Sequence, residues 1–286
     1  GEGRGGEGEV SVLSMGEGCR QGQLGVGAES TFRSRLQPLP LPSRDGDTLG
    51  AGGPVDISAG AHHSAVVTQG GQVLCCGEGG YGQTGQDGDT LNAQRASTMR
   101  PVQWDDFIAV PKISRVSCGG RHTLLLDRQG AVWSLGCGQY GQLGLGDADD
   151  QADPQRVEMS VAIVEMSAGG SHSLAVDEEG GVWAWGANAN GQLGLGDKKS
   201  RDVPTRVEGL PAVKSVVAGV MVSLFVTRKG AALSCGHSGG SLLGFPTEST
   251  DVLRPTQIPG LPGVEMLSLG AEMCAALTSR GDTREG

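Results

Sequence analysis

The chain has 286 residues and a formal net charge of −10, from 22 Lys+Arg against 32 Asp+Glu. It is rich in glycine, with 51, and poor in aromatic residues, with 4 Trp, 2 Tyr and 4 Phe. These values exclude collagen, because glycine does not recur every third residue, and disfavour nucleic acid as a partner, because phosphate contacts need clustered Lys and Arg.

No segment suggests a membrane or a secretory route. No stretch reaches the ~18 uncharged apolar residues of a membrane span, and no apolar run follows the opening Gly1-Glu2-Gly3-Arg4. The lack of an initiator Met favours a fragment or a processed chain. Seven cysteines without CxxC spacing favour a reducing compartment, so we expect the protein in the cytoplasm or nucleus.

Two short phrases recur along the chain at one period. The first is Gly-Gln-Leu-Gly or a variant of it, and its copies begin at Gly22, Gly82, Gly141, Gly191 and Gly240. The second reads Ser-Ala-Gly-Gly-Ser-His-Ser or a variant, with its glycines at Gly60, Gly119, Gly169, Gly219 and Gly270. Successive copies lie 49 to 60 residues apart. Two independent phrases with the same period predict a repeat architecture of five units.

The predicted elements follow in chain order. A Gly/Glu-rich tail at 1–9 precedes the repeats, and a short tail at 282–286 follows them. The five units between them cover 10–281, with approximate bounds of 10–70, 71–130, 131–180, 181–230 and 231–281.

Residues 163–207 show the strands expected in each unit. Short β-rich runs lie at 163–168, 173–176, 182–185 and 204–207, and Glu179-Gly180 is a two-residue hairpin turn. The second run is apolar at successive positions in every unit, which indicates burial on both faces. Sheets packed face to face around an axis bury both faces. The prediction is therefore an all-β chain, a β-propeller of about five four-stranded antiparallel blades.

The fourth unit resembles the repeat of the regulator of chromosome condensation family. That repeat has a Gly-x-Val-x-x-Trp-Gly strand and then Asn-x-x-Gly-Gln-Leu-Gly-Leu-Gly, and this chain has Gly181-Val182 through Trp185-Gly186 and then Asn188 through Gly196. The resemblance covers about 10–281 and implies a propeller that usually has seven blades. Part of a seven-bladed propeller is the favoured expectation, and a closed five-unit ring or an open arc is the alternative.

The resemblance implies two functions from different classes. The first is a regulatory propeller that binds another protein through rim loops. The second is a guanine-nucleotide exchange factor for a small GTPase, which needs an inserted loop, and 86–111 is the only candidate. Photoreception, as in the plant ultraviolet-B receptor of this family, is rejected because the slot of its tryptophan holds Gly120. Nucleosome binding is disfavoured, since the N-terminus carries Glu2, Glu7 and Glu9 rather than a basic tail.

Most chemistry-bearing residues fall in repeated slots and therefore favour a structural role. His63, His122 and His172 share one slot, and a hydrogen bond between neighbouring strands is the preferred interpretation over a metal ring. The cysteines exchange with Ala, Ser or Leu, as at Cys118 and Cys274, which is typical of packing. The Gly-Gln-Leu-Gly phrase precedes no helix, so it predicts a turn rather than a phosphate loop. No catalytic constellation and no cofactor are expected.

The loops that differ between units are the candidate partner-binding sites. The third unit has an acidic loop at 147–153, the fourth has a basic loop at 197–202, and the segment 86–111 combines charges with aromatic residues. We expect the three to share one rim. The candidate residues are Arg95, Arg100, Trp104, Asp105, Phe107, Asp147, Asp149, Asp150, Lys198, Lys199 and Arg201. Packing of Trp104 and Phe107 onto the rim is the alternative to partner binding.

Overall fold

A computed structural model describes residues 13–16, 23–24, 33–38, 53–86, 95–239, 242–261, 263–270 and 273–279. All described elements are strands: β1 (Leu13–Gly16), β2 (Arg33–Pro38), β3 (Pro54–Ala59), β4 (His63–Thr68), β5 (Val73–Glu78), β6 (Arg95–Pro101), β7 (Ile113–Cys118), β8 (His122–Asp127), β9 (Val132–Gly136), β10 (Gln151–Arg156), β11 (Ile163–Ala168), β12 (His172–Asp177), β13 (Val182–Gly186), β14 (Arg201–Val207), β15 (Val213–Ala218), β16 (Val222–Thr227), β17 (Ala232–His237), β18 (Asp251–Gln257), β19 (Val264–Leu269) and β20 (Cys274–Thr278). Within these ranges no helix is long and apolar enough to cross a membrane.

The strands form four complete antiparallel sheets. Blade I is β3-β4-β5-β6, blade II is β7-β8-β9-β10, blade III is β11-β12-β13-β14 and blade IV is β15-β16-β17-β18. The pairs β1-β2 and β19-β20 form separate two-stranded sheets. The prediction of an all-β propeller with repeated four-stranded sheets is confirmed. The described part of the chain holds four complete blades, whereas the sequence predicted about five. The tails at 1–9 and 282–286 lie outside the described residues.

The second strands are buried as their sequences predict. Every residue of β8, β12 and β16 is buried, because each strand is covered by a neighbouring blade on both faces. Leu125 belongs to the cluster shared with blade I, and its neighbour Leu124 to the cluster shared with blade III. The exception is β20, where all five residues are exposed.

The first strands of successive blades lie side by side, so they form the inside of the arc. Serine side chains join them. Ser58 Oγ accepts a hydrogen bond from Cys118 N at 2.8 Å, and Ser117 Oγ accepts one from Ala168 N at 2.9 Å. Ser167 Oγ accepts one from Ala218 N at 2.9 Å. The serine of the repeated Ser-x-Gly phrase therefore connects each blade to the next.

Antiparallel order divides the loops between two rims. The loops between first and second strands and between third and fourth strands lie on one side, which we call the upper rim. The hairpins between second and third strands and the connections between blades lie on the opposite side, the lower rim. The lower hairpins turn at glycines with positive φ, such as Gly180 at 88°. Each loop's place in the repeat thus decides the rim on which it lies.

Candidate interaction surfaces

The repeated histidines link neighbouring blades through hydrogen bonds. His63 Nε2 lies 2.8 Å from Thr123 Oγ1 of the next blade, and His122 Nε2 lies 3.0 Å from Ser173 Oγ. His172 Nε2 lies 2.9 Å from Ser223 Oγ. The structural interpretation of this slot is confirmed, and the bond is between blades.

The hydroxyl partners fix the proton on each ring. Thr123 Oγ1 donates to the carbonyl oxygen of Gln83 at 2.7 Å, and Ser173 Oγ donates to that of Gln142 at 2.8 Å. Since the hydroxyl proton is used, the hydroxyl oxygen accepts from Nε2–H, and the neutral ring keeps Nδ1 bare. The Nδ1 atoms of all three rings are buried without a hydrogen-bond partner in the described structure.

Burial keeps these imidazoles neutral. It lowers the pKa of His63 to about 4, of His122 to about 3 and of His172 to about 4. The charge of His62 adds a smaller decrease at His63, and the other two rings do so at His122. Protonation would place a charge and an unpaired N–H in the interior. The histidines therefore stabilise the interfaces between blades only while they are uncharged.

The Gly-Gln-x-Gly phrase forms a buried turn, as predicted. Gln142 Oε1 accepts a hydrogen bond from Tyr140 N at 2.9 Å. The backbone carbonyl oxygen of Gln142 accepts one from Ser173 Oγ of the next blade at 2.8 Å. Gly144 has a φ of 76°, and a Cβ there would lie 2.8 Å from Trp185 Nε1. The phrase is therefore the acceptor side of the contact between blades and the turn that places it there.

The cysteines fill packing positions in the complete blades. Cys75 and Cys76 point into different core clusters, as expected for neighbours on a strand. Burial raises the pKa of Cys76 and of Cys118 to about 12, so both remain thiols. Cys274 departs from the prediction and is exposed, because β20 is not covered as its equivalents are.

The acidic loop lies on the upper rim of blade II. Asp150 Oδ1 accepts from Gly138 N at 2.8 Å, and Asp147 Oδ1 accepts from Asp149 N at 3.1 Å. These two carboxylates shape the loop. Asp149 is exposed, and its carboxylate forms no hydrogen bond or ion pair with a described residue.

The basic loop lies on the upper rim of blade III, and two of its cations are already paired. Lys198 Nζ lies 2.6 Å from Asp251 Oδ2 of blade IV, and Arg201 lies 2.8 Å from Asp197 Oδ2. The hydrogen bond from Lys198 holds the pKa of the Asp251 carboxyl well below its usual range. The Lys199 ammonium forms no hydrogen bond or ion pair with a described residue, although its charge contributes to the lowered pKa of Asp197.

Two candidate residues lie on strand β6, the outer strand of blade I. Arg95 pairs with Glu78 at the upper end, and Arg100 pairs with Cys75 further down and is exposed. Residues 87–94 of the segment 86–111 lie outside the described residues.

Beyond β6, the chain reaches the lower rim, and here the two aromatic candidates differ. Trp104 packs edge-on against Trp133, with ring centroids 5.3 Å apart and planes at 80°. Phe107 is 98% exposed. Asp105 Oδ1 accepts from Phe107 N at 2.9 Å and fixes the turn between them. Trp104 is therefore partly buried by packing, whereas the side chain of Phe107 is exposed to solvent.

The candidate loops do not share one rim. The loops at 147–153 and 197–202 begin on the upper rim, whereas 102–111 lies on the lower rim. The expectation of a single binding rim is wrong, because β6 crosses the full height of the blade between the two parts of 86–111.

Comparison with known proteins agrees with the propeller architecture. Residues 11–284 match the sequence profile of the RCC1-like domain. The chain belongs to the RCC1-like domain family. The RCC1 domain-containing protein 1 of Homo sapiens is 41% identical over 181 residues, which cover 52% of this chain and 46% of that protein. The serine/threonine-protein kinase Nek9 of Mus musculus is 33% identical over 143 residues, which cover 50% of this chain and 13% of the kinase. The aligned part is thus less than half of either relative.

Two solved structures share the fold. Human WBSCR16 is 25% identical with a TM-score of 0.79, over 93% of this chain and 68% of that chain. Prp20p of Saccharomyces cerevisiae, described together with its binding to Gsp1p and histones, is 22% identical with a TM-score of 0.74, over 87% and 59%. The second likeness concerns the fold alone.

Sequence reasoning missed one feature of this RCC1-like propeller. A groove of about 690 Å³ opens on the lower rim of blade II, between the connections on either side of it. Its residues lie in three separate stretches, 109–112, 127–133 and 156–162, so no local motif marks it. A possible signal was the length of the connection at 102–112.

Proposed function

We propose that this RCC1-like propeller is a regulatory interaction module that binds another protein through its rim loops. The observation that carries this proposal is the contrast between two equivalent loops on the upper rim. Asp149 of blade II and Lys199 of blade III occupy the same slot with opposite charge. In both blades the aspartate at the start of the loop accepts a hydrogen bond from the N–H two residues later, Asp147 from Asp149 and Asp197 from Lys199. The shared turn therefore does not require the difference in charge.

The upper rim also has loops held in fixed positions, which favours specific recognition of a partner. Backbone bonds join neighbouring blades there, with Gly120 N donating to Gly169 O at 2.9 Å and Gly170 N donating to Gly219 O at 2.8 Å. Arg121 stacks on the ring of Tyr81 at 4.8 Å from its centroid. A rigid surface with a defined charge pattern loses little entropy on binding.

Free, buried thiols support the expected location in the cytoplasm or nucleus.

Reversing the charge of Asp149 or of Lys199 on the upper rim tests the proposal. The chain and the variants Asp149→Lys and Lys199→Asp are used as baits for cross-linking capture from a cell lysate, read by quantitative mass spectrometry. Glu208→Lys, which reverses an exposed charge on the lower rim, is the matched control. We expect proteins retained by the wild type and the control to be depleted with an upper-rim variant, at an unchanged melting temperature. Equal capture by all four baits would exclude these loops, and capture no better than with an unrelated propeller would exclude the function.

Guanine-nucleotide exchange on a small GTPase is the second candidate, from the family resemblance and the fold shared with Prp20p. At 22% identity that likeness assigns no exchange residue. Release of a fluorescent GDP analogue from a purified GTPase, with and without the chain, measures the activity directly. Release that does not accelerate with increasing chain concentration would reject this candidate and leave the interaction proposal intact.

A further inference from the structure

The connection between blades I and II is longer than the blade architecture requires. Residues 102–112 form this connection of eleven residues, whereas 157–162 and 208–212 join the next blades with six and five. The shorter connections show that five or six residues are sufficient to pass from one blade to the next. The additional residues at 102–112 therefore serve something other than closure.

The long connection is held in one conformation. Trp104 packs on Trp133, and Ile108 packs against the same core cluster. Between them, Asp105 accepts hydrogen bonds from Phe107 N at its carboxylate and from Ile108 N at its carbonyl, both at 2.9 Å. The turn is thus fixed at both ends while its tip exposes Phe107. The fold positions this phenyl ring without using it in the core.

The same connection forms one wall of the lower-rim groove. The groove, of about 690 Å³, lies between Ala109–Lys112 and Arg156–Ala162, and its floor is the hairpin 127–131 with Trp133. Its lining is mixed polar and apolar. Val110 and Val161 are among the exposed large hydrophobic side chains of the described residues. A groove between two loops on a rigid floor suits an extended segment with an apolar side chain.

Two of the three charged residues that line the groove are cations, although Asp105, Asp106 and Glu158 lie on the same connections outside the lining. Lys112 and Arg156 line opposite walls, are exposed, and have no ion-pair partner among the described residues. The floor carboxylate of Asp127 is already occupied by Gln129 N and Ala131 N at 2.8 and 2.9 Å and by Trp133 Nε1 at 3.3 Å. Glu158 lies on one of the two connections but does not line the groove.

We propose that this groove binds an extended acidic segment of a partner protein. An apolar side chain of that segment enters between Val110 and Val161, and flanking Asp or Glu side chains pair with Lys112 and Arg156. The exposed side chains of Val110 and Val161 between the two cations favour a peptide over a nucleic acid, because a peptide can supply an aliphatic or aromatic side chain as well as carboxylates. The inference rests on the proposed interaction function and assigns it a second surface, distinct from the upper rim.

The test uses the whole chain and a phage-displayed library of random dodecapeptides. We expect enriched peptides to contain a large apolar residue flanked by Asp or Glu. Synthetic versions labelled with fluorescein are then titrated against the wild type, Lys112→Glu/Arg156→Glu and the control Lys229→Glu, which reverses an exposed charge on the hairpin of blade IV. The double variant should weaken binding roughly tenfold or more, and Lys229→Glu should not change it. Both groove cations are exposed, so the melting temperature should stay constant.

Each other outcome removes the proposal. No enrichment, or equal affinity for the double variant, shows that the groove is not a peptide site. Retained binding after the apolar residue is changed to Ser indicates a general polyanion site instead. Self-association that the double variant abolishes in sedimentation assigns the groove to a second copy of the chain. The interaction function proposed above is judged separately: if partner capture depends on Asp149 or Lys199, it stands even when the groove proposal fails.

Discussion

Acid should unfold this protein through its three histidines linking the blades. His63, His122 and His172 have folded-state pKa values of about 4, 3 and 4, against 6.5 for an ordinary imidazole. Below pH 6.5 these histidines bind protons in the unfolded chain but not in the folded protein. The free energy of unfolding therefore falls as the pH falls towards 4. At pH 4.5 the loss is about 2.7 kcal/mol for each histidine, since two pH units each correspond to about 1.36 kcal/mol.

The three losses together reach about 8 kcal/mol, which is comparable with the whole stability of an ordinary domain, about 5–15 kcal/mol. The assay is urea unfolding at several pH values between 7 and 4.5. His172→Val replaces one ring by the residue that Val222 already places in this slot. The variant should be weaker at pH 7 by about 1 kcal/mol from the lost hydrogen bond. Near pH 5, the free energy of unfolding of this variant should change with pH less steeply than that of the wild type, by about 1.4 kcal/mol per pH unit.

Phe107→Ala removes an exposed side chain and no titratable group, so it is the control that should leave the slope unchanged. A stability that stays level between pH 6.5 and 4.5 would refute the reasoning. So would a His172→Val variant with the same slope as the wild type, because the missing ring could then not be a site of proton uptake.

Three further predictions follow from packing. Gly144→Ala should lower the melting temperature more than Gly260→Ala, because both glycines have positive φ but only at Gly144 would a Cβ meet another residue, Trp185; equal losses would show that backbone strain alone decides. Trp104→Ala should lower the free energy of unfolding by about 1–2 kcal/mol, because its partly buried ring packs on Trp133, whereas Phe107→Ala should change it almost not at all; a large loss at Phe107 would contradict its exposed position. The chain should self-associate through β20, whose five residues are exposed, and Leu277→Lys should shift sedimentation towards the monomer; a wild-type monomer would be evidence against it.

Local patterns were sufficient to predict the blade. The apolar runs such as Leu124–Leu126 determine a strand covered on both faces, and the prediction for 163–207 agrees with strands β11 to β14. The histidine slot predicted a structural hydrogen bond, because a residue repeated once per blade has a role in every blade. The glycines of Gly-Gln-x-Gly predicted a turn, since the phrase recurs without a helix after it. These features depend on residues close together in sequence.

Only the tertiary structure decided which residues meet across blades and on which rim each loop lies. The partner of His122 is Ser173, 51 positions away, and the pairing depends on how two sheets are placed against each other. The segment 86–111 reads as one loop, but β6 separates its ends because the repeat requires an outer strand there. Trp104 and Phe107 are near neighbours of similar character in sequence. One is packed and the other exposed because Trp133, supplied by the next blade, faces only Trp104.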